Sequence, residues 1–185
     1  MTKLNKRVLF LIDEGFEESE LRIPCERLKA EGHKTAIVAP DKKQRRAWHD
    51  FKWGENVPVD LEIDDVKVDE FDGIIIPGGL IAPHRLRVLK STVTLIRKFY
   101  WDGRVVGAIG HACALLIEAD IIKGHKVTSF KSLRTDMINA GSSWIDQPVV
   151  ADRHIVTAQD SRSIVRFTEF FLKELQTGRA VPEFA

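Results

Sequence analysis

Four short, mostly apolar runs constrain the fold of this chain more than any other feature: "RVLFLI" (7–12), "KTAIVA" (34–39), "DGIIIPGG" (72–79) and "VVGAI" (105–109). Runs of four to eight apolar residues with no polar alternation read as strands buried on both faces, the pattern of a parallel sheet. The segments between them carry helical spacing. In "ESELRIPCERLKAEGH", Leu21, Cys25 and Leu28 fall on one face and Gly32 closes the helix. "STVTLIRKFYWDG" is amphipathic and ends at Gly103, and "SIVRFTEFFLKEL" supplies a last helix. Strands alternating with helices predict an α/β architecture: a mostly parallel sheet with helices on both faces. Shorter strands are expected in "KVTSF" and in "SSWIDQPVVADRHIVTAQD", with a turn at Asp152-Arg153. Residues 40–63 read as irregular structure holding a small hairpin, and "DDVKVDEF" as a short helical turn.

At 185 residues the chain suits one domain, spanning 1–185, with 176–185 as a loose tail because it has few apolar anchors. The net charge of +1 supplies no global pull toward nucleic acid or a membrane surface, and no apolar run approaches the length of a span. The basic-then-apolar start "MTKLNKRVLFLI" runs into "DEGFEESE" and not into a small-residue cleavage site, so a cytoplasmic location is expected. Two cysteines, Cys25 and Cys113, make no disulfide framework and no zinc spacing. The phosphate-loop, dinucleotide and H-E-x-x-H signatures do not occur, so no cofactor or metal is expected.

"VVGAIGHACALL" (105–116) carries the functional question. A strand that breaks sharply into a helix is the architecture of a nucleophile elbow, whose tip normally presents Ser or Cys. Here the tip is Gly110. In a parallel sheet the ligand site lies beyond the C-terminal strand ends. Asp13–Glu20, Pro77–Pro83, the elbow and the loop after residue 157 should therefore converge.

Taken together, "VLFLIDEGFEESELRIPCERLKAEGH", "FDGIIIPGG", "VVGAIGHACALL" and "TSFKSLRTDMINAGSSWID" resemble the DJ-1/PfpI family, in its intracellular protease I branch, over nearly the whole chain. The resemblance implies a flavodoxin-like sandwich and a homo-oligomer, a dimer or larger. It also implies activities of peptidase, glyoxalase, deglycase or redox-stress type. Carried over by position, the family's glutamate, which hydrogen-bonds the thiolate, falls on Glu17. The nucleophilic cysteine falls on Gly110 and the histidine after it on His111. A carboxylate that follows the Pro-Gly-Gly loop falls near His84. Two of these four groups have changed.

The expectation that follows is a family member with a remodelled site, lacking thiol chemistry at the elbow and suited to a small-molecule-binding or stress-related role. Its ligand would be a small anion or a carbonyl compound, held by elbow N–H groups. The alternative is an active peptidase, deglycase or glyoxalase-type enzyme that uses Cys113 as a displaced nucleophile, or His111 with Glu17. Three metal-capable groups, His84, His111 and Glu17, could also meet in one pocket. The basic, aromatic segment 42–53, with Trp48, Phe51 and Trp53, is read as a solvated hairpin or subunit contact and not as a nucleic-acid surface.

Overall fold

The computed structural model describes residues 5–177. The elements run β1 (Arg7–Leu11), α1 (Glu18–Ala30), β2 (Lys34–Ala39), β3 (Arg45–His49), β4 (Lys52–Val57), β5 (Leu61–Glu62) and β6 (Gly73–Ile76). They continue with α2 (Ile81–Leu86), α3 (Lys90–Trp101), β7 (Val105–Ile109), α4 (Cys113–Glu118), β8 (Lys126–Val127), α5 (Arg134–Asn139) and β9 (Ser143–Trp144). The last three are β10 (Val149–Asp152), β11 (Ile155–Ala158) and α6 (Ile164–Thr177). Most of the expected tail at 176–185 lies outside the described residues.

Seven strands form the central sheet in the order β10-β11-β7-β6-β1-β2-β5, and only the β10–β11 pairing is antiparallel. Alternate strand residues feed two cores. On one side Leu9, Leu11, Ile74, Ile76 and Val106 pack under α3 and α4 through Ile96, Phe99 and Leu115. On the other, Val8, Phe10, Ile75 and Val156 pack under α1 and α6 through Leu28, Phe167 and Phe171. Side chains on successive strand positions point to opposite faces, so an unbroken apolar run is what a sheet covered on both sides requires. Gly107 stands within β7 because α6 lies close: a Cβ there would sit 2.7 Å from the Phe167 ring.

Several local expectations shift. The hairpin inside 40–63 is β3–β4, with Asp50 and Phe51 at its tip in left-handed backbone (φ 47° and 59°). The same stretch also contributes β5, which pairs with β2 at the sheet edge. "DDVKVDEF" resolves into two separate 3₁₀ turns, Ile63–Asp65 and Val68–Glu70. The β10–β11 turn sits one residue later than expected, at Arg153–His154 (φ 45° and 61°). Chain order reverses between β1 and β6, and the crevice at such a switch point is where open α/β sheets place ligands.

Candidate functional site

The crevice is a cavity of about 590 Å³ at the C-terminal strand ends. Its walls come from the expected loops: Glu17, Ser19 and Glu20 after β1, Gly79 and Leu80 after β6, Gly110 and His111 after β7, Asp160 and Ser161 after β11. Two contributors were not legible in advance. The β3–β4 hairpin folds over one side with Trp48 through Phe51, and Phe130 covers another. The hairpin is tied down by backbone: Trp48 N–H donates to Phe16 O (2.7 Å) and Gly15 N–H to Arg46 O (2.9 Å). Phe130 is held by its N–H on Gly110 O (3.3 Å) and stacks on the His111 ring at 4.4 Å.

Gly110 stands at the turn from β7 into a single 3₁₀ turn, Gly110–Ala112, and then α4. Its φ of +60° is left-handed backbone, costly for a side chain and free for glycine. A Cβ built there would meet only Gln159 O, at 3.5 Å, an ordinary contact. The backbone thus turns sharply from strand to helix here, with room for a small side chain at residue 110.

Two glutamates reach the cavity, in different states. Glu17 occupies the N-cap position of α1 without a capping bond from its side chain. Its carboxylate accepts from Ser19 Oγ (3.1 Å), lies 3.9 Å from His49 Nδ1 and keeps about a fifth of its surface exposed. Glu20, one turn on, is 4% exposed and accepts the Gly78 N–H at 2.6 Å through Oε2. Burial pushes its carboxyl up to about 8, with smaller pushes from Glu17 and Asp160, against the lowering by the Gly78 N–H. Of the two, the buried carboxyl with raised proton affinity is Glu20, while Glu17, onto which the resemblance carries the family's thiolate-bonding glutamate, stays partly exposed. The signal was present: Glu20, Pro24 and Leu28 recur at four-residue spacing on the buried face of α1. Gly78 has to be glycine for this contact, because a Cβ there would lie 2.5 Å from Ile109 O and 2.8 Å from Glu20 Oε2.

His111 is half-buried, and its proton affinity falls, first by loss of water and then by repulsion from His84. Asp160 is held below the usual carboxylate range, chiefly by hydrogen bonds from the Arg162 guanidinium. Among the described residues no Lys or Arg lines the cavity. That charge pattern disfavours the anionic ligand expected at the elbow, and α4, at six residues, is a short dipole to oppose it.

Cys113 and His84 do not line this cavity. Cys113 is fully buried in the core under α3 and α4, its Sγ 3.6 Å from Ala108 O. Burial, aided by Glu20, pushes the thiol far above its ordinary range. A thiol in that position resists ionisation and is not part of the cavity lining, which weighs against a displaced nucleophile. His84 is exposed on α2, outside the lining. His84, His111 and Glu17 do not assemble as metal ligands: among the described residues no group of three or more His, Cys, Asp or Glu is placed to hold an ion.

The DJ-1/PfpI family model matches residues 6–174. The chain belongs to the DJ-1/PfpI family. Deglycase PfpI of Pyrococcus furiosus is 39% identical over 170 residues, covering 92% of this chain and 99% of that one. Protein/nucleic acid deglycase 2 of Escherichia coli is 34% identical over 173 residues, covering 93% and 99%. Among solved structures, the two-domain protein of Anabaena variabilis with DJ-1/ThiJ/PfpI-like and ferritin-like domains superposes with a TM-score of 0.87 at 29% identity. The match spans 96% of this chain and 50% of that one. Drosophila melanogaster DJ-1beta superposes at 0.82 and 22% identity over 94% and 95%, a likeness of fold. The flavodoxin-like sandwich is that of other DJ-1/PfpI members. Among the described residues no helix is long and apolar enough to cross a membrane.

Proposed function

We propose that the chain is a deglycase-type enzyme that cleaves amine–carbonyl adducts by proton transfer, without a thiol. The reading takes its substrate class from the relatives named deglycases. The observation that carries its chemistry is a pair of groups beside the open space at Gly110: the protonated carboxyl of Glu20 and the neutral imidazole of His111. Breakdown of a carbinolamine needs one acid and one base. The His111 ring takes the carbinol O–H proton, the C–N bond breaks as the carbonyl reforms, and its electron pair leaves on nitrogen. Nitrogen takes the Glu20 proton, and solvent returns the proton from His111 to Glu20. The products are the free amine and the free carbonyl compound, and no oxidant or reductant enters. Gly110 itself favours a second reading, in which the pocket binds such adducts without turning them over.

The test is recovery of free Nα-acetyl-arginine, with its guanidinium unmodified, from the methylglyoxal adduct. Cys113→Ser should leave the rate unchanged, whereas Glu20→Gln and His111→Phe should each lower it by about 10². Loss of turnover in folded Cys113→Ser would overturn the thiol-free route. An inert wild type would leave the binding reading.

A further inference from the structure

The lining also bears on which amine the adduct carries, an inference that rests on reading the cavity as an adduct site. Three ionisable carboxyls besides Glu20 border it, those of Glu17, Asp50 and Asp160, with no Lys or Arg among them in the described residues. Asp160 is engaged by Arg162 through both its oxygens. Glu17 has only His49 near it as a basic neighbour, at 3.9 Å, and Asp50 has no ion pair among the described residues. Among the described residues neither Glu17 nor Asp50 is therefore ion-paired with a Lys or Arg. Deeper in, Glu20 spends Oε2 on Gly78, while Oε1 has no hydrogen-bond partner among the described residues. Trp48 and Phe130 add ring surface to the walls.

We infer that this cavity selects adducts carried by guanidinium or ammonium groups and turns away adducts on phosphate-bearing nucleotides. A cation entering the cavity meets two carboxylates that no Lys or Arg pairs with among the described residues, and aromatic rings, both of which attract it. A nucleotide phosphate meets the same carboxylates with no cation in the lining to offset them. The Escherichia coli relative's name spans protein and nucleic acid substrates; the charges here fit the protein side.

The probes are Nα-acetyl-arginine amide and guanosine monophosphate, titrated into the wild-type protein and followed by NMR at about pH 7 and low salt. The arginine amide should bind at least about tenfold tighter, and raising the salt should shrink that ratio. Asp50→Asn should weaken arginine amide binding about two- to fivefold. Asparagine tolerates the left-handed backbone at the hairpin tip, so the fold stays as a control. Equal or tighter nucleotide binding, no binding of the cation, or indifference to both salt and Asp50→Asn would overturn the inference. The two proposals fail separately. Cation selectivity without turnover removes only the deglycase reading, and equal turnover of arginine and nucleotide adducts removes only the selectivity.

Discussion

Replacing Glu20 with Gln tests the element on which both the site and its chemistry depend. In the folded chain the Glu20 carboxyl is pushed from its ordinary 4.5 up to about 8. Between those values the native state binds a proton that the unfolded chain has lost, so stability falls as pH rises through that window. The penalty is absent below about pH 4.5 and complete above about 8. The slope is 1.36 kcal/mol per pH unit, which over the three units from pH 5 to pH 8 gives up to about 4 kcal/mol. Any solvation of the carboxyl from the cavity side reduces this, and we expect on the order of 2–3 kcal/mol. Glutamine has nearly the same shape, keeps an oxygen for the Gly78 N–H and carries no titration. Any fixed cost of its NH₂ group is the same at every pH. Urea unfolding of both proteins at pH 5, 6, 7 and 8 should therefore show the variant gaining on the wild type steadily as pH rises. The buried histidines titrate in both proteins and cancel in the difference. A stability difference that does not change with pH would refute the buried, protonated assignment of Glu20, and with it the proton donor of the mechanism.

Three further outcomes follow from the same geometry. Gly110→Cys should cost about 1 kcal/mol for its left-handed backbone. With only Gln159 O at contact distance, its thiol should be the first oxidised by mild peroxide in mass spectrometry; a variant more stable than its parent with an inert new thiol would place residue 110 elsewhere than at an elbow. In the native protein, iodoacetamide should label half-buried Cys25 well before Cys113, whose thiol is buried and shifted upward, and peptide mapping in which Cys113 reacts first would restore the displaced nucleophile. A homo-oligomer is expected from the family resemblance and from Phe51 and Trp53, 91% and 40% exposed, so light scattering that gives a monomer mass at micromolar concentration would sink it.

The parts of this molecule that were legible in the sequence are those where one residue type has one physical meaning. A strand buried on both faces has to be apolar at every position, so "RVLFL", "GIII" and "VVGAI" announced β1, β6 and β7, and the loops after them announced the crevice. The strand-to-helix break at Gly110 was legible because a buried apolar run ends there in glycine and a helical pattern follows. What escaped depended on contacts distant in sequence. β5 is two residues long and exists because Val38 and Ala39 offer a parallel edge, which nothing in "LE" encodes. The hairpin was foreseen as a solvated or subunit-facing piece; that it folds onto the site is set by the Trp48 and Gly15 backbone bonds to Phe16 and Arg46. Glu20 is the instructive case. A run of four glutamates in seven residues, Glu14 to Glu20, looks like one solvated loop, yet the start of α1 within it divides the run. Helical spacing aligns Glu20 with Pro24 and Leu28 and turns it inward, while Glu17, at the cap, stays at the rim. Residue type gave both the same meaning, and periodicity separated them. Periodicity marks the buried acid, and it leaves Glu17 and Asp50 as carboxylates of the cavity lining that no Lys or Arg pairs with among the described residues.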